Sequence, residues 1–424
     1  MKTDKLQVLY WFLRLRYSRL FSSSHVSKSR LKRWRKTLSK SPFYKIHSMA
    51  DKFPLMNKQL FMEHFDAINT LGIQKKEALK VAQESERSRD FSPTIDNISI
   101  GLSSGTSGNK GIFLTSPSEK AIWVGAVLDR VIGFSFRKRK VAFFLRANNN
   151  LYESVKSKSL SFTFFDIKNA VETHIAQLID LDPDILVAQP SVLNQIAKLY
   201  QQRNIPPGFS KVISVAEVLE DDQKEFFKSV FNCEIDQVYQ CTEGFLAYTC
   251  RKGHLHFNED WLKIEKHYLD ESRFHPIITD YLRSSQPIVR YELNDIIHEG
   301  KPCTCGSKST VIDKIEGRSD DVFLFTAEGK NVLIYPDFIR RAVISASDGV
   351  INYFVRKTSK RHIEVSLEIA ADHDPEEVFS LVKQNLLETL KAFGIDGITI
   401  TPINYEHDSM SKFTRIKNDH LENV

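Results

Sequence analysis

Two hydrophobic periods alternate along this chain. Residues 5–21 place Leu6, Leu9, Leu13, Tyr17 and Leu20 at helical spacing, and Tyr10, Trp11, Phe12 and Leu15 widen the apolar arc, which predicts a helix. A basic stretch, SKSRLKRWRKTLSKS, comes next, and FPLMNKQLFMEHFDAINT reads as a loop leading into a helix. The polar run ESERSRDFSPTID suits a surface connection. From about residue 98 the period changes. ISIGLSSGTSGNKGIFLTS reads as strand, Gly/Ser/Thr loop, strand, and EKAIWVGAVLDRVIGF as a helix. The short apolar runs KVAFFLR, DILVAQP and KVISVAEV alternate with the helical patterns SVLNQIAKLYQQR and DDQKEFFKSVF. Such alternation predicts an α/β domain with mainly parallel sheets. Past residue 250 strands dominate (IEKHYL, HPIITDYL, IVRYEL), giving a β-rich part. After a break at IEGRSDD, INYFVRK, HIEVSLEIA, DPEEVFSLVKQNLLETLKAFG and ITITPINYE read strand, strand, helix, strand, a small C-terminal α+β domain.

Composition narrows the function classes. A chain of 424 residues, 42% hydrophobic and 26% charged, has material for two or three cored domains and is not globally disordered. The net charge of +6 is unevenly placed. Residues 1–50 hold thirteen Lys/Arg against one acid, Asp4, so the other 374 residues carry a net −6. A mildly acidic body argues against a nucleic-acid groove through the main fold. The five cysteines, Cys233, Cys241, Cys250, Cys303 and Cys305, are too few for a disulfide scaffold and suit reduced thiols or a metal site. No apolar run approaches the roughly 20 residues of a membrane span, and Arg14 and Arg16 interrupt the first hydrophobic segment. The expected location is cytoplasmic.

The strongest local chemistry is SSGTSGNKG. Gly105, Gly108 and Gly111 permit close backbone approach, and consecutive exposed N–H groups form an anion-binding concavity. The hydroxyls of Ser103, Ser104, Thr106 and Ser107 can donate to phosphate oxygens, and Lys110 adds charge. The spacing is not that of a Walker P-loop, which disfavours a kinase-type NTPase.

This loop resembles the phosphate-binding signature of the adenylate-forming superfamily, and five further segments match in the family's order. VAEVLE (215–220) stands at the adenine-binding segment, VYQCTEG (238–244) resembles YGxTE, and VRYELNDII (289–297) resembles RYRTGD. IEGRSDD (315–321) resembles the GRxDD hinge, and SKFTR (411–415) the C-terminal lysine motif. SPFYKIH and FPLMNKQLF look like segments of phenylacetate–CoA ligases. The chain as a whole resembles that branch, and within it the adenylate-forming group related to deazaflavin-adenylating synthetases.

The resemblance implies a large adenylation domain over residues 41–317, a lid over 318–424 hinged near Asp320, and a basic, partly amphipathic helical segment over 1–40. It implies ATP- and Mg²⁺-dependent adenylation of a small-molecule carboxylic acid, giving an acyl-adenylate and pyrophosphate. Ser103–Gly108 and Lys110 would hold phosphates, Glu243 Mg²⁺, and Thr242 the α-phosphate. Ala216, Glu217 and Tyr239 would face adenine, Asp295 would take the ribose hydroxyls, Arg318 would add a contact at the hinge, and Lys412 would bridge carboxylate and α-phosphate. The chain also departs from the pattern. Its loop is one residue short, Val215 and Val218 replace Gly and Pro, Gln240 and Cys241 replace small residues, and YELND keeps only Tyr291 and Asp295. VFLFTAEGKNVLIYP lacks the Gly-rich loop that often helps thiol access, which leaves coenzyme A use open. Two alternatives follow: a nucleotide-binding accessory protein with a degenerate ligase site, and an enzyme whose nucleotidyl product is the end point.

Three thiols and an imidazole (Cys250, His256, Cys303, Cys305) make a Cys₃His zinc set, while their spacing alone equally allows buried free thiols. The branch's C-x₄-G-L-H and C-x-C-G ligands resemble CRKGHLH and CTCG and imply structural zinc, with His254 as the alternative imidazole. Residues 1–40 are expected to pack as a helix with a solvated basic face, or to attach peripherally to an anionic membrane or an acidic partner.

Overall fold

The computed structural model describes residues 5–21, 27–49, 52–88, 90–102, 111–133, 137–145, 160–167, 169–318, 321–327, 329–404 and 414–420. The chain divides into two compact units. One comprises residues 1–293 and 298–314, the other 294–297 and 315–424.

The first unit begins with helices α1 (Lys5–Phe21), α2 (Lys28–Leu38), α3 (Pro42–Met49), α4 (Lys58–Glu63), α5 (Phe65–Ile68) and α6 (Lys75–Ser88). The basic stretch, within the segment expected to be helical over 1–40, forms a helix of its own because Arg30, Trp34 and Leu38 recur every fourth residue and are buried, while Ser27 caps its first turn. Strands β1 (Thr94–Ile95), β2 (Ile98–Leu102) and β3 (Ile112–Thr115) form a small antiparallel sheet. Helix α7 (Pro117–Val127) starts at a Ser116/Glu119 capping box with Pro117 at its first position, and a π turn continues it to Ile132.

The large sheet has a parallel half and an antiparallel half. β4 (Arg139–Leu145), β5 (Leu160–Asp166), β6 (Ile185–Ala188), β7 (Lys211–Val215) and β8 (Ile235–Cys241) run parallel in the order β5-β4-β6-β7-β8. Helices α8 (Val171–Leu181), α9 (Pro190–Gln202) and α10 (Asp221–Phe231) connect them and bury one core, in which Phe144 stacks on Phe165 at 4.5 Å. β4, β6 and β7, inside the sheet and buried over most of their length, read as continuous apolar runs. β9 (Gly244–Thr249) turns back antiparallel on β8, and β10 (Leu255–Phe257), β11 (Leu262–Tyr268), β12 (Arg273–Asp280), β13 (Tyr291–Glu292), β14 (Asp295–Glu299) and β15 (Val311–Arg318) complete the sheet.

In the second unit, β16 (Phe323–Ala327) and β17 (Lys330–Ile334) form a hairpin. β18 (Val350–Ser359), β19 (His362–Ile369), β20 (Thr399–Pro402) and β21 (Ile416–Asn418) form a sheet in the order β20-β19-β18-β21. Helices α11 (Pro336–Ile344) and α12 (Pro375–Ala392) close a core that includes Phe323, Ile363, Val382 and Leu386. The strand, strand, helix, strand reading of the tail corresponds to β18, β19, α12 and β20, while α11 and β21 go beyond it.

Candidate functional site

The ends of the parallel strands carry several of the singled-out residues. Val215 pairs with Val238 in parallel register, so Ala216 and Tyr239 are next to each other at the carboxyl ends of β7 and β8, where open α/β sheets bind ligands. Ala216 adopts φ +68°, and the Glu217 N–H donates to the Val215 carbonyl at 2.8 Å, closing a three-residue turn. A side chain with positive φ is a strained position worth a functional question. Glu217 accepts from the backbone N–H and the hydroxyl of Ser191, both at 3.1 Å, which places a carboxylate on the first turn of α9. Tyr239 is buried, with its ring 6.4 Å from Phe257.

Thr242 and Glu243 are the two residues of the β8–β9 hairpin turn, closed by the Cys241–Gly244 pair. Neither has positive φ, so the turn is not the primed type that usually joins twisted strands. A register shift at Tyr239/Gln240 accompanies it, and such bulges re-aim side chains beside functional sites. The Thr242 hydroxyl donates to a Glu243 carboxylate oxygen at 2.9 Å.

The same turn faces the ends of the β2–β3 hairpin. Leu102 pairs with Ile112, so the hairpin brackets residues 103–110. Ser103, Ser104, Gly105, Thr106, Ser107, Gly108 and Lys110 lie outside the described residues, as does Lys412. A small cleft, open to solvent, is lined by Gly111–Phe113, Thr242, Glu243, Arg283, Gln286 and Tyr291, and by Lys58, Phe61 and Met62 of the FPLMNKQLF segment. That segment is tied in by main-chain bonds: the Met56 N–H donates to the Arg290 carbonyl and the Glu292 N–H to the Met56 carbonyl, each at 2.8 Å.

Residues 280–286, DYLRSSQ, hold these parts together, and motif reading did not single them out. Arg283 Nη1 donates to the Thr242 carbonyl at 2.6 Å and Nη2 to the Leu114 carbonyl at 3.4 Å. Gln286 bonds the edge of β3 twice, its Nε2 donating to the Ile112 carbonyl and its Oε1 accepting from the Leu114 N–H, both at 3.1 Å. Glu119, buried in α7, accepts from the N–H groups of Ser284 (2.7 Å) and Ser285 (2.9 Å) and from the hydroxyls of Ser285 and Ser116. Burial pushes the Glu119 carboxyl up, but the Arg283 charge and the Ser285 and Ser116 donors outweigh it and hold it below its ordinary value. Asp280 closes the turn by accepting from the N–H groups of Leu282 (2.7 Å) and Arg283 (3.2 Å). Burial nonetheless pushes its carboxyl up to about 6. The signal in the sequence was a run of polar residues between two apolar strands, which by itself looks like a surface turn.

Asp295 and Arg318 meet in the second unit, with Arg318 Nε 3.5 Å from Asp295 Oδ1.

A second cluster lies at the far end of the β9–β10 hairpin. Ligand atoms of Cys250, His256, Cys303 and Cys305 all fall within 4.8 Å of one another. Cys250 Sγ is 3.8 Å from Cys303 Sγ, and Cys305 Sγ is 3.5 Å from His256 Nε2. His256 Nδ1 lies 3.2 Å from the Ser309 carbonyl, so a proton on Nδ1 leaves Nε2 free as a ligand. Backbone N–H groups of Lys252, Cys305 and Ser307 each point at a cysteine sulfur from 3.4 Å. Donors aimed at sulfur suit thiolates, so the donor set fits a tetrahedral Cys₃His zinc site. His254 Nδ1 is 3.3 Å from Cys303 Sγ, outside that set of four. Without metal, burial pushes the Cys250 thiol up to about 11. Cys233 and Cys241 are half-buried.

No family model and no curated protein matches this chain. Solved structures do. 2-Hydroxyisobutyryl-CoA ligase in the postadenylation state with 2-HIB-AMP superposes with a TM-score of 0.63 at 14% identity, covering 98% of this chain and 89% of that one. An open conformation of that ligase with 2-HIB-AMP and CoA gives 0.56 at 14% identity over 86% of this chain and 89% of that one. The amide bond synthetase McbA from Marinactinospora thermotolerans gives 0.52 at 12% identity over 76% of this chain and 67% of that one. A mixed sheet with a parallel half and a separate small α+β unit is therefore the fold of the adenylate-forming enzymes.

Proposed function

We propose that this chain is an ATP- and Mg²⁺-dependent adenylating ligase acting on a small-molecule carboxylic acid. The observation that carries the reading is the shared cleft of the Thr242–Glu243 turn and the hairpin that brackets residues 103–110. That turn and the end of that hairpin, distant in sequence, line one space within a fold shared with a solved structure that holds 2-HIB-AMP.

The reaction joins a carboxylate oxygen to the α-phosphorus of ATP and expels pyrophosphate, so the protein must position charge rather than form a covalent bond. The loop hydroxyls and N–H groups hold the β- and γ-phosphates. Glu243 supplies a hard carboxylate oxygen for Mg²⁺, and Thr242 contacts the α-phosphate. Asp295 accepts from the ribose hydroxyls with Arg318 beside it. Lys412 bridges the two reacting anions when residues 318–424 close as a lid, and its withdrawal frees the acyl-adenylate for a second nucleophile. Among superfamily branches the chain sits nearest the phenylacetate–CoA ligases on its SPFYKIH and FPLMNKQLF segments. Cys250, His256, Cys303 and Cys305 hold a structural zinc with no open coordination position.

The test is acid-dependent exchange of labelled pyrophosphate into ATP over a panel of carboxylic acids, with and without coenzyme A. Lys412→Ala and Glu243→Gln should cut exchange about 10²-fold or more, with Lys412→Ala still binding ATP. ATP binding without exchange on any acid would select the accessory-protein alternative. A stable AMP-conjugated product without thioester would select nucleotidyl transfer as the end point.

A further inference from the structure

Helix α1 is apolar on two sides. Its inner side packs on α7: Leu15 is fully buried, Val8 and Phe12 nearly so. The two helices approach closely because position 125 is glycine; a Cβ there would lie 2.8 Å from the Phe12 nitrogen. Arg19 fixes the helix further by a bidentate pair with the buried Asp129, at 2.8 and 3.1 Å. The outer side carries Leu6, Leu9, Tyr10, Leu13 and Tyr17, exposed by 76, 52, 53, 55 and 66%. At 3.6 residues per turn these five fall within about 100° of arc. An apolar arc of that width normally faces a core or a partner, yet these five side chains are exposed. The solvated basic face expected within residues 1–40 is on α2, whose Lys28, Lys32, Arg33, Arg35 and Lys36 are exposed.

Charge says what covers the stripe. Lys5 and Arg16 border it on one side and Arg14 on the other, and α1 has no acidic residue. Arg14 Nη1 donates to the Tyr10 hydroxyl at 2.9 Å, with the guanidinium 4.9 Å from the Trp11 ring centroid. The two N-terminal helices are anchored through one charge network: Arg130 pairs with Asp129 (3.0 Å) and Asp260 (2.7 Å), and Arg30 of α2 donates to the Asp260 carbonyl. A second copy docked stripe to stripe would set Lys5, Arg14 and Arg16 against their own equivalents. An anionic lipid surface offers apolar depth to the leucines, an interface for the tyrosine hydroxyls and negative charge for the rim. No helix among the described residues is long and apolar enough to cross a membrane.

We infer that α1 is an in-plane membrane anchor whose Leu6–Leu9–Tyr10–Leu13–Tyr17 stripe lies in the interface of an anionic bilayer, with Lys5, Arg14, Arg16 and the exposed cations of α2 at the headgroups. This holds whether or not the ligase reading does.

The experiment is co-sedimentation of the full chain with phosphatidylcholine vesicles containing or lacking 30% phosphatidylglycerol, at low and high salt. Expected is binding to the anionic vesicles at least tenfold tighter than to neutral ones, weakening with salt. Leu9→Asp/Leu13→Asp and Arg14→Glu/Arg16→Glu should each lose tenfold or more with unchanged melting temperature. If the leucine variant melts early, Tyr10→Ser/Tyr17→Ser on the same stripe takes its place. Equal binding to both vesicle types, none to either, or stripe variants that bind like wild type would overturn the inference. So would a stripe-dependent dimer in sedimentation equilibrium, which would assign the face to a second copy.

Discussion

Arg283 Nη1 donates to the carbonyl of Thr242 at 2.6 Å, and its charge faces the buried carboxylate of Glu119. One side chain thus links the turn bearing Glu243 to the capping box of the helix that follows β3. Arg283→Ala would free the turn and leave Glu119 buried without its cation. Losing the charged hydrogen bond to the Thr242 carbonyl costs about 1.5–3 kcal/mol, and misplacing a catalytic group by an ångström costs about 10²-fold in rate. Both losses are expected, read by denaturant unfolding and by pyrophosphate exchange. Arg283→Lys keeps the charge but not the fork that reaches two carbonyls, so it should recover stability more than rate. Wild-type exchange by Arg283→Ala would refute this positioning role.

Asp280 supplies a pH signature. Burial raises its carboxyl from an ordinary value near 3.8 to about 6 in the folded chain, so the folded state binds this proton more tightly than the unfolded one. Its contribution therefore favours folding in acid and is lost as pH rises through about 4 to 6, by at most about 3 kcal/mol. Asp280→Asn keeps an oxygen for the Leu282 and Arg283 N–H groups and removes the charge. Urea unfolding should find the variant more stable than wild type at pH 7 and level with it near pH 4. A constant difference between the two across that range would exclude a titrating Asp280.

What could be read in advance follows from where the information lies. β4, β6 and β7 announce themselves because burial on both faces makes each a short apolar run, and the helices between them keep a 3.6-residue period. The turn at Thr242–Glu243 is legible because its chemistry sits in adjacent residues. The 280–286 hub is not. Ser285 and Glu119 are 166 residues apart, and the bonds from the Ser285 N–H and hydroxyl to the Glu119 carboxylate leave no periodic trace. In α2, buried Trp34 and Leu38 hide among six cations, one of which, Arg30, is itself buried. For α1 the helix was evident, but which of two apolar arcs faces the protein is decided by Gly125, on another helix.

The cysteine cluster should hold one zinc per chain, measured by elemental analysis of protein purified without added metal. Cys305→Ser should lose the metal and destabilise the first unit. Zinc needs thiolates, and burial holds Cys250 up near 11 without metal, so loading releases protons and acid should strip the ion. His254→Ala should keep the zinc, since His256 is the imidazole in the group of four. Metal-free wild type with an unchanged melting curve would exclude a structural zinc.

Ala216 gives the sharpest local test of the adenine segment. Its φ of +68° is one that glycine adopts freely, alanine at a cost of about 1 kcal/mol and a β-branched residue at more. Ala216→Gly should be neutral to slightly stabilising, since relief of strain is offset by the greater freedom of glycine in the unfolded chain. Ala216→Val should destabilise by about 1–2 kcal/mol. If the turn shapes the nucleotide site, Ala216→Val should also raise the KM for ATP several-fold, because straightening it moves Glu217 off the Ser191 donors at the start of α9, whereas Ala216→Gly should not. A valine variant with lower stability but unchanged KM would make the strain purely architectural and take Ala216 and Glu217 out of the nucleotide site.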